Sequence, residues 1–377
     1  MSAWPGKFVI GLTGNIATGK SVVRKMLEHL GAYGIDADAL GHRAIAPDAP
    51  GYRAVVDNFG KWILSPDGQV DRAKLSRIVF TDPDALLQLE AIIHPLVRQA
   101  VDLLIKRSTQ KVIVVEAIKL LEGPLRQACD TIWVTYAPKE VQIARLTQKR
   151  GMSTAVAHQR INAQPPQNEK VKAANTVIRN EGSFEDTWKQ VTAAWQILFP
   201  SFESGAYKPV TAPKGVMLVE KARPRHASEI AALIRRLSDG KVKPTREDIM
   251  AAFGEKAYLY LKLDGQLVGV VGWQVENLVE RTDDVFIEPS QPLPDAMQAL
   301  LKEVESTSRD LQCEVALLFL PPELSTKIEV WNSLGYEVRS IDSLGVRAWQ
   351  EAAQDTIGDG EIMYFKQLRK DRVLRPV

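Results

Sequence analysis

Eight consecutive residues near the start of the chain, Gly14-Asn15-Ile16-Ala17-Thr18-Gly19-Lys20-Ser21, have the types and spacing of a site that grips phosphate. They fit the pattern GxxxxGK[ST] throughout. Glycines let backbone N–H groups close around phosphate oxygens, and the helix that follows adds the positive end of its dipole. Lys20 is then placed to reach the β- and γ-phosphates, and the Ser21 hydroxyl to ligate Mg²⁺. Such a loop serves kinases, switch GTPases and motor ATPases alike. A GTPase also needs an Asn-Lys-x-Asp stretch that reads guanine, and the later strands that would carry it end in "EAIK" and "TYAP". About 200 residues suit a small-molecule kinase core with a lid.

A kinase needs a carboxylate beside the acceptor hydroxyl to orient it and take its proton. Asp36 and Asp38, in "YGIDADAL", are the candidates. The same pair could instead serve a loop or a helix cap, with Asp38 just before a helix start. Phosphoryl transfer also spreads negative charge that closing arginines stabilise. Gln142, Arg145 and Lys149 fall three and four residues apart on one helix face, followed by Arg150. Arg160 and Gln164 share a face on the next helix. Arg145 is the first choice for a catalytic cation, with Arg150 and Arg160 next. A solvated basic helix is the alternative use of these residues.

The elements that must position these groups are legible in the hydrophobic pattern. "KFVIGLTG", "KVIVVEA" and "DTIWVTYAP" are short continuous apolar runs, as strands buried on both faces require. "YGID" and "NTVIRNEG" are shorter versions. Helical patterns separate them: "GKSVVRKMLEHLGA", "SPDGQVDRAKLSRIVF", "PDALLQLEAIIHPLVRQAVDLLIKR" and "KEVQIARLTQKR". Strands alternating with helices imply an α/β fold, a parallel sheet covered on both faces. Ligands of such sheets lie at the carboxyl ends of the strands. The loop, Asp36, Asp38, Glu116 and Asn180 all fall at or near such ends, and Asn180 joins the loop residues as a nucleotide-side candidate.

The bulk composition excludes some classes. Lys and Arg number 48 against 46 Asp and Glu, so no overall field argues for nucleic acid or an acidic membrane. Cys129 and Cys313 show no metal-type spacing and read as thiols in a reducing compartment. No signal-like start or long apolar run is present, which places the chain in the cytoplasm.

Residues 8 to about 195 resemble the dephospho-coenzyme A kinase family. The resemblance is carried, in order, by "IGLTGNIATGKSVV", "GIDADALGH", "DRAKLSRIVF", "LEAIIHPLVR", "LLEG", "VQIARLTQKRG", "QRINAQ" and "VIRNEG". It implies a phosphate-loop core with a helical acceptor-binding region and a lid. The implied reaction moves the ATP γ-phosphoryl group to the ribose 3′-hydroxyl of dephospho-CoA. It also implies Asp38 as the base and places Asp36, His94, Arg160 and Gln164 on the acceptor side. Glu116 would hold Mg²⁺ through water. The chain departs from the family at Ile118, where proline is expected, and at Asn175, where aspartate is common. Asn15 and Ala17 replace glycines at loop positions where neither glycine is expected to be required. A kinase of another nucleoside or nucleotide is the alternative, as is a nucleotide-binding regulator without chemistry.

Near residue 200 the texture changes. Pro200, Pro209 and Pro213 mark a linker over residues 200–215, dividing a kinase domain (1–199) from a second domain (216–377). The second domain reads as strand, two helices, a hairpin at Asp264-Gly265, strand, helix, strand, helix, strand. That order is similar to the acyl-CoA N-acyltransferase (GNAT) superfamily. The resemblance implies a Q/RxxGxG/A loop offering backbone N–H groups to a CoA diphosphate. Here "SQPLPDAMQALL" keeps Gln291 and Ala296 but brings Pro292 and Pro294 and no glycine. Proline has no N–H to donate, so a degenerate domain of regulatory or structural role is expected. It could also support oligomers. An active N-acetyltransferase, making the chain bifunctional, is the alternative.

Overall fold

The computed structural model describes residues 3–79, 81–200 and 213–374. Among the described residues the first half holds five strands: β1 (Phe8–Thr13), β2 (Tyr33–Asp36), β3 (Val112–Glu116), β4 (Thr131–Tyr136) and β5 (Thr176–Arg179). They form one sheet in the order β2-β3-β1-β4-β5, with every neighbouring pair parallel. Side chains alternate between the faces of a strand, and the apolar runs split accordingly. Val9, Ile113, Val115 and Val134 pack on one side with the helices Ala37–Ala44 and Pro83–Arg107. Ile10, Leu12, Val114 and Trp133 pack on the other with the helices Lys20–His29 and Phe184–Leu198. Burying each such side chain contributes roughly 1.5–3 kcal/mol.

The helical pattern expected over 65–80 is only half realised. The helix runs Arg72–Val79, and the residues before it turn back so that Leu64 and Val70 bridge. Asp67-Gly68 favours that turn over helix, with Gly68 at φ 79°.

The second half holds β6 (Met217–Lys221), β7 (Ala257–Leu263), β8 (Gln266–Glu276), β9 (Val279–Ile287), β10 (Val315–Leu320), β11 (Glu337–Val338) and β12 (Ile362–Gln367). Their order is β11-β12-β10-β9-β8-β7-β6. Asp264-Gly265 turns the β7–β8 hairpin, with Leu263 opposite Gln266. Among the described strands of this half only β9 and β10 run parallel, in register from Val279–Val315 to Thr282–Leu318. The helix Leu293–Asp310 covers one face; Ala227–Leu237 and Arg246–Ala252 lie on the other. The helix Arg347–Gln354, absent from the sequence pattern drawn above, packs through Trp349 and Ala353. The expected linker falls mainly on residues 201–212, outside the described residues.

The two halves share buried surface. Leu278, Val373 and Leu374 of the second half complete the apolar cluster that covers β2 and β3. Arg43, at the end of the helix Ala37–Ala44, is buried against the second half. It donates to the Asn277 carbonyl at 2.8 Å and pairs with Glu314 at 2.5 Å. Lys25 Nζ donates to the Val275 carbonyl at 3.2 Å, and His29 Nε2 lies 2.8 Å from the Phe253 carbonyl. Since a carbonyl only accepts, this contact requires the Nε2–H form of His29.

Candidate active site

The loop between β1 and the helix Lys20–His29 is held by its own residues and by distant ones. Gly14 and Gly19 take φ of 156° and 89°. A Cβ on Gly19 would stand 1.9 Å from Asn180 Nδ2, and one on Gly14 would stand 2.6 Å from the Thr135 carbonyl oxygen. Thr18 Oγ1 donates to the Asn15 carbonyl at 2.8 Å. Ile16 N–H donates to Gln164 Oε1 at 2.7 Å, and Asn15 Nδ2 donates to the Pro165 carbonyl at 2.8 Å. The expectation that neither Asn15 nor Ala17 stands where glycine is needed is corrected for Ala17. It sits at φ 59°, a left-handed conformation that costs a side-chain-bearing residue energy.

The helix that follows begins at Gly19 with no side-chain cap and no acidic residue in its first turn. Its end therefore keeps donors and positive dipole for a ligand. Lys20 is 8% exposed, and the bond its Nζ makes, to the Asn15 carbonyl, is long at 3.4 Å. Burial pushes its pKa down, while Glu116, Asp38 and Asp36 pull it back up. An anion at this end would satisfy both the helix and the lysine.

The carboxylates converge from neighbouring strand ends. Asp36 of β2 stands in register with Glu116 of β3, which is in register with Leu12 of β1. Glu116 is buried and accepts from Arg24 Nε at 2.8 Å and Ser21 Oγ at 3.2 Å. Arg24 also pairs with Glu28 at 2.6 Å. Ser21 and Glu116 are hard oxygen donors beside a phosphate cradle, a set that fits Mg²⁺, which binds through few protein groups and keeps waters and phosphates.

Asp38 Oδ2 accepts from the Ile118 N–H at 3.0 Å. Burial raises its pKa, opposed by that hydrogen bond and by Lys20. Asp36, not Asp38, caps the helix Ala37–Ala44, accepting from Ala39 N–H at 2.9 Å. Burial raises the Asp36 pKa too, opposed first by Arg24.

Arg145 lies on the helix Lys139–Arg150. It donates to the Ala17 carbonyl at 3.1 Å and to the Asn180 carbonyl and Oδ1 at 3.0 and 3.2 Å. It thus ties the loop to the end of β5, while Asn180 Nδ2 donates to the Thr18 carbonyl at 3.1 Å. Gln142 is buried and turned back to the Ala137 carbonyl. Arg150 is exposed, yet close enough to lower the Lys20 pKa. Gln164, expected on a helix with Arg160, lies beyond its end at Asn162 and grips the loop. Arg160 and His94 are exposed, and among the described residues no hydrogen bond joins them to the loop or the carboxylates.

Sequence reasoning missed two members of this cluster. Lys170, 4% exposed, donates from Nζ to the Ile118 carbonyl at 2.5 Å, two residues past Glu116. Burial lowers its pKa, and Asp38 and Lys20 are among its charged neighbours. Its helix, Gln167–Lys172, is too short to show a periodic signal. Arg24 was more accessible, lying one turn after Lys20 and one turn before Glu28.

A parallel sheet, a glycine-bearing loop at the end of its central strand, an open helix N-terminus with a buried lysine, and facing carboxylates define the phosphate-loop kinase class. The dephospho-CoA kinase profile matches residues 8–186. The chain is 45% identical over 191 residues to a dephospho-CoA kinase of Geobacter metallireducens, covering 50% of this chain and 95% of that protein. It is 44% identical over 191 residues to one of Carboxydothermus hydrogenoformans, covering 50% and 93%. The chain belongs to the dephospho-CoA kinase family. Among solved structures, the dephospho-CoA kinase of Campylobacter jejuni aligns at 27% identity and a TM-score of 0.38, covering 51% of this chain and 98% of that one. A GNAT-family acetyltransferase of Streptococcus pneumoniae aligns at 14% identity and a TM-score of 0.32, covering 40% and 99%. Among the described residues no helix is long and apolar enough to cross a membrane.

Proposed function

We propose that the chain transfers the γ-phosphoryl group of ATP to the ribose 3′-hydroxyl of dephospho-CoA, giving coenzyme A and ADP. The observation that carries this reading is the uncapped, acid-free helix end and under-bonded Lys20, with Asp38 close enough to raise the lysine's pKa. The acceptor oxygen bonds to the γ-phosphorus as the bond from that phosphorus to the β–γ bridging oxygen breaks. The bridging oxygen leaves on ADP, and the acceptor proton passes to the Asp38 carboxylate. The loop, residues Gly14–Ser21, holds the β- and γ-phosphates through backbone donors and Lys20. Arg145 and Arg150 close from the lid, and Asn180 braces the loop. Mg²⁺, held through Ser21 and Glu116, would neutralise phosphate charge. Asp36, Arg160, Gln164 and His94 lie on the acceptor side, where Asp36 also caps a helix and Gln164 also holds the loop.

Residues 1–199 and 216–377 form a kinase domain and a GNAT-like domain of structural or regulatory role in a cytoplasmic protein. In that second domain Pro292 caps the helix Leu293–Asp310, Pro294 follows, and Asp295 adds negative charge to the first turn. All three oppose diphosphate binding.

The test is ATP- and Mg²⁺-dependent phosphorylation of dephospho-CoA by the purified chain, beside a panel of nucleosides and nucleotides and an acetyl-CoA turnover assay. Turnover of a nucleoside in place of dephospho-CoA would overturn the acceptor. Turnover of acetyl-CoA would overturn the silent second domain.

A further inference from the structure

On the helix that carries Asp38, at His42, lies a small open cleft that both halves of the chain line. The first half contributes His42 and Arg72, the second Arg347 and Arg372. Their charges are incompletely matched. Glu351 is shared by two guanidiniums, at 2.8 Å from Arg347 Nε and 3.3 Å from Arg72 Nη2. Arg372 lies with its guanidinium carbon 5.3 Å from the centre of the Trp349 ring and has no carboxylate partner among the described residues. Asp48 is the acid on the cleft wall. Four arginines line the cleft: Glu314 matches Arg43, and Glu351, just outside the lining, is shared by Arg72 and Arg347. Burial, with help from Arg72, lowers the His42 pKa.

The place of this cleft gives it a ligand. Asp38 and His42 are four residues apart on the helix Ala37–Ala44, so they share a face about one turn, roughly 6 Å, apart. An acceptor whose 3′-hydroxyl meets Asp38 carries its 5′-diphosphate one sugar ring away. The neighbouring Arg43 is buried in its bonds to Asn277 and Glu314, which fixes this helix against the second half. Guanidiniums suit diphosphate oxygens because their planar forks donate two hydrogen bonds at once.

We propose that this cleft binds the 5′-diphosphate of the acceptor, and that Arg347 and Arg372 are specificity-determining residues which the second half supplies to the kinase reaction. This inference rests on dephospho-CoA as acceptor. The test is steady-state kinetics of the full chain with dephospho-CoA and ATP varied in turn, for Arg372→Ala, Arg347→Ala and the corresponding lysine variants. Each alanine variant is expected to raise KM for dephospho-CoA roughly tenfold, the size of one lost charge-assisted contact. The KM for ATP should hold, the loss should sit in KM rather than kcat, and lysine should restore part of it. Inorganic pyrophosphate should compete with dephospho-CoA in the unaltered chain and less well in Arg372→Ala.

An unchanged KM in an enzyme that does phosphorylate dephospho-CoA would overturn the inference and leave the function standing. So would a loss confined to kcat or shared with the KM for ATP. If the unaltered chain does not phosphorylate dephospho-CoA, the function fails first. Pyrophosphate binding by calorimetry then decides the cleft: weaker binding in Arg372→Ala supports an anion site for a free phosphorylated metabolite, and equal binding ends the proposal.

Discussion

Two of the turns that lead a strand into a helix treat the helix N-terminus in opposite ways. After β1, the helix Lys20–His29 starts from a left-handed glycine, carries no acid in its first turn, and has Lys20 buried beside it. After β9, the helix Leu293–Asp310 starts from Pro292, takes Pro294 into its first turn and adds Asp295. Both ends carry the same dipole. The first keeps its donors free and sets Lys20 among them, while the second removes donors and adds a negative charge. An anion site is therefore a property of the residues around a helix end, not of the helix.

The largest effects should come from breaking the first turn. Asp38→Asn, removing the proposed base, is expected to lower kcat by roughly 100- to 10,000-fold. Lys20→Ala should lower it by roughly 100- to 1,000-fold, as loss of one transition-state donor does. Measured turnover that survives both would break the comparison. A pH profile comes next. Because burial raises the Asp38 pKa, its carboxyl is still protonated where an ordinary aspartate is charged. The acid limb of kcat/KM should therefore fall above the ordinary value of about 3.9. A limb at or below that value would remove Asp38 from the proton's path.

The second turn predicts silence: the full chain should release no thiol from acetyl-CoA above background, and measurable release would show that its remaining donors suffice. The interface offers a smaller effect. Burial pushes the His29 pKa down to about 4, opposed by its bond to the Phe253 carbonyl and by Glu28, and helped by Lys25. The unfolded chain takes that proton near pH 6.5. Stability from neutral His29 should be intact above pH 6.5 and lost as pH falls toward about 4. Denaturant unfolding across that range checks it, with His29→Gln expected to flatten the slope. The smallest effect is Ala17→Gly. Relief of the left-handed strain, less the added freedom of glycine in the unfolded chain, should stabilise by about 0.5 kcal/mol. Asn15→Gly, outside that conformation, should gain nothing.

Legibility in the sequence varied with the range of the interaction. The loop was plain because its chemistry sits in eight consecutive residues. The strands were plain because burial on both faces leaves continuous apolar runs. Asp36 and Asp38 were found, but which of them capped the helix was not, since a cap depends on where the helix starts within one residue. Gln164 was placed with Arg160 on a helix, yet its side chain crosses to Ile16, far away along the chain. Lys170 left no signal, because what makes it part of the site is burial beside Ile118, and no local pattern records that.

The sequence by itself determined the phosphate loop, the alternation that builds a parallel sheet, and the loss of donors at Pro292 and Pro294. Each of these depends on residues within one turn or one strand. Only the tertiary structure decided that Arg43 is held by Asn277 and Glu314, that Leu278 and Leu374 finish the first half's core, and that four arginines meet at a shared cleft. Those contacts join residues hundreds of positions apart, and it is the docking of the first half's helices against the second half that brings them together.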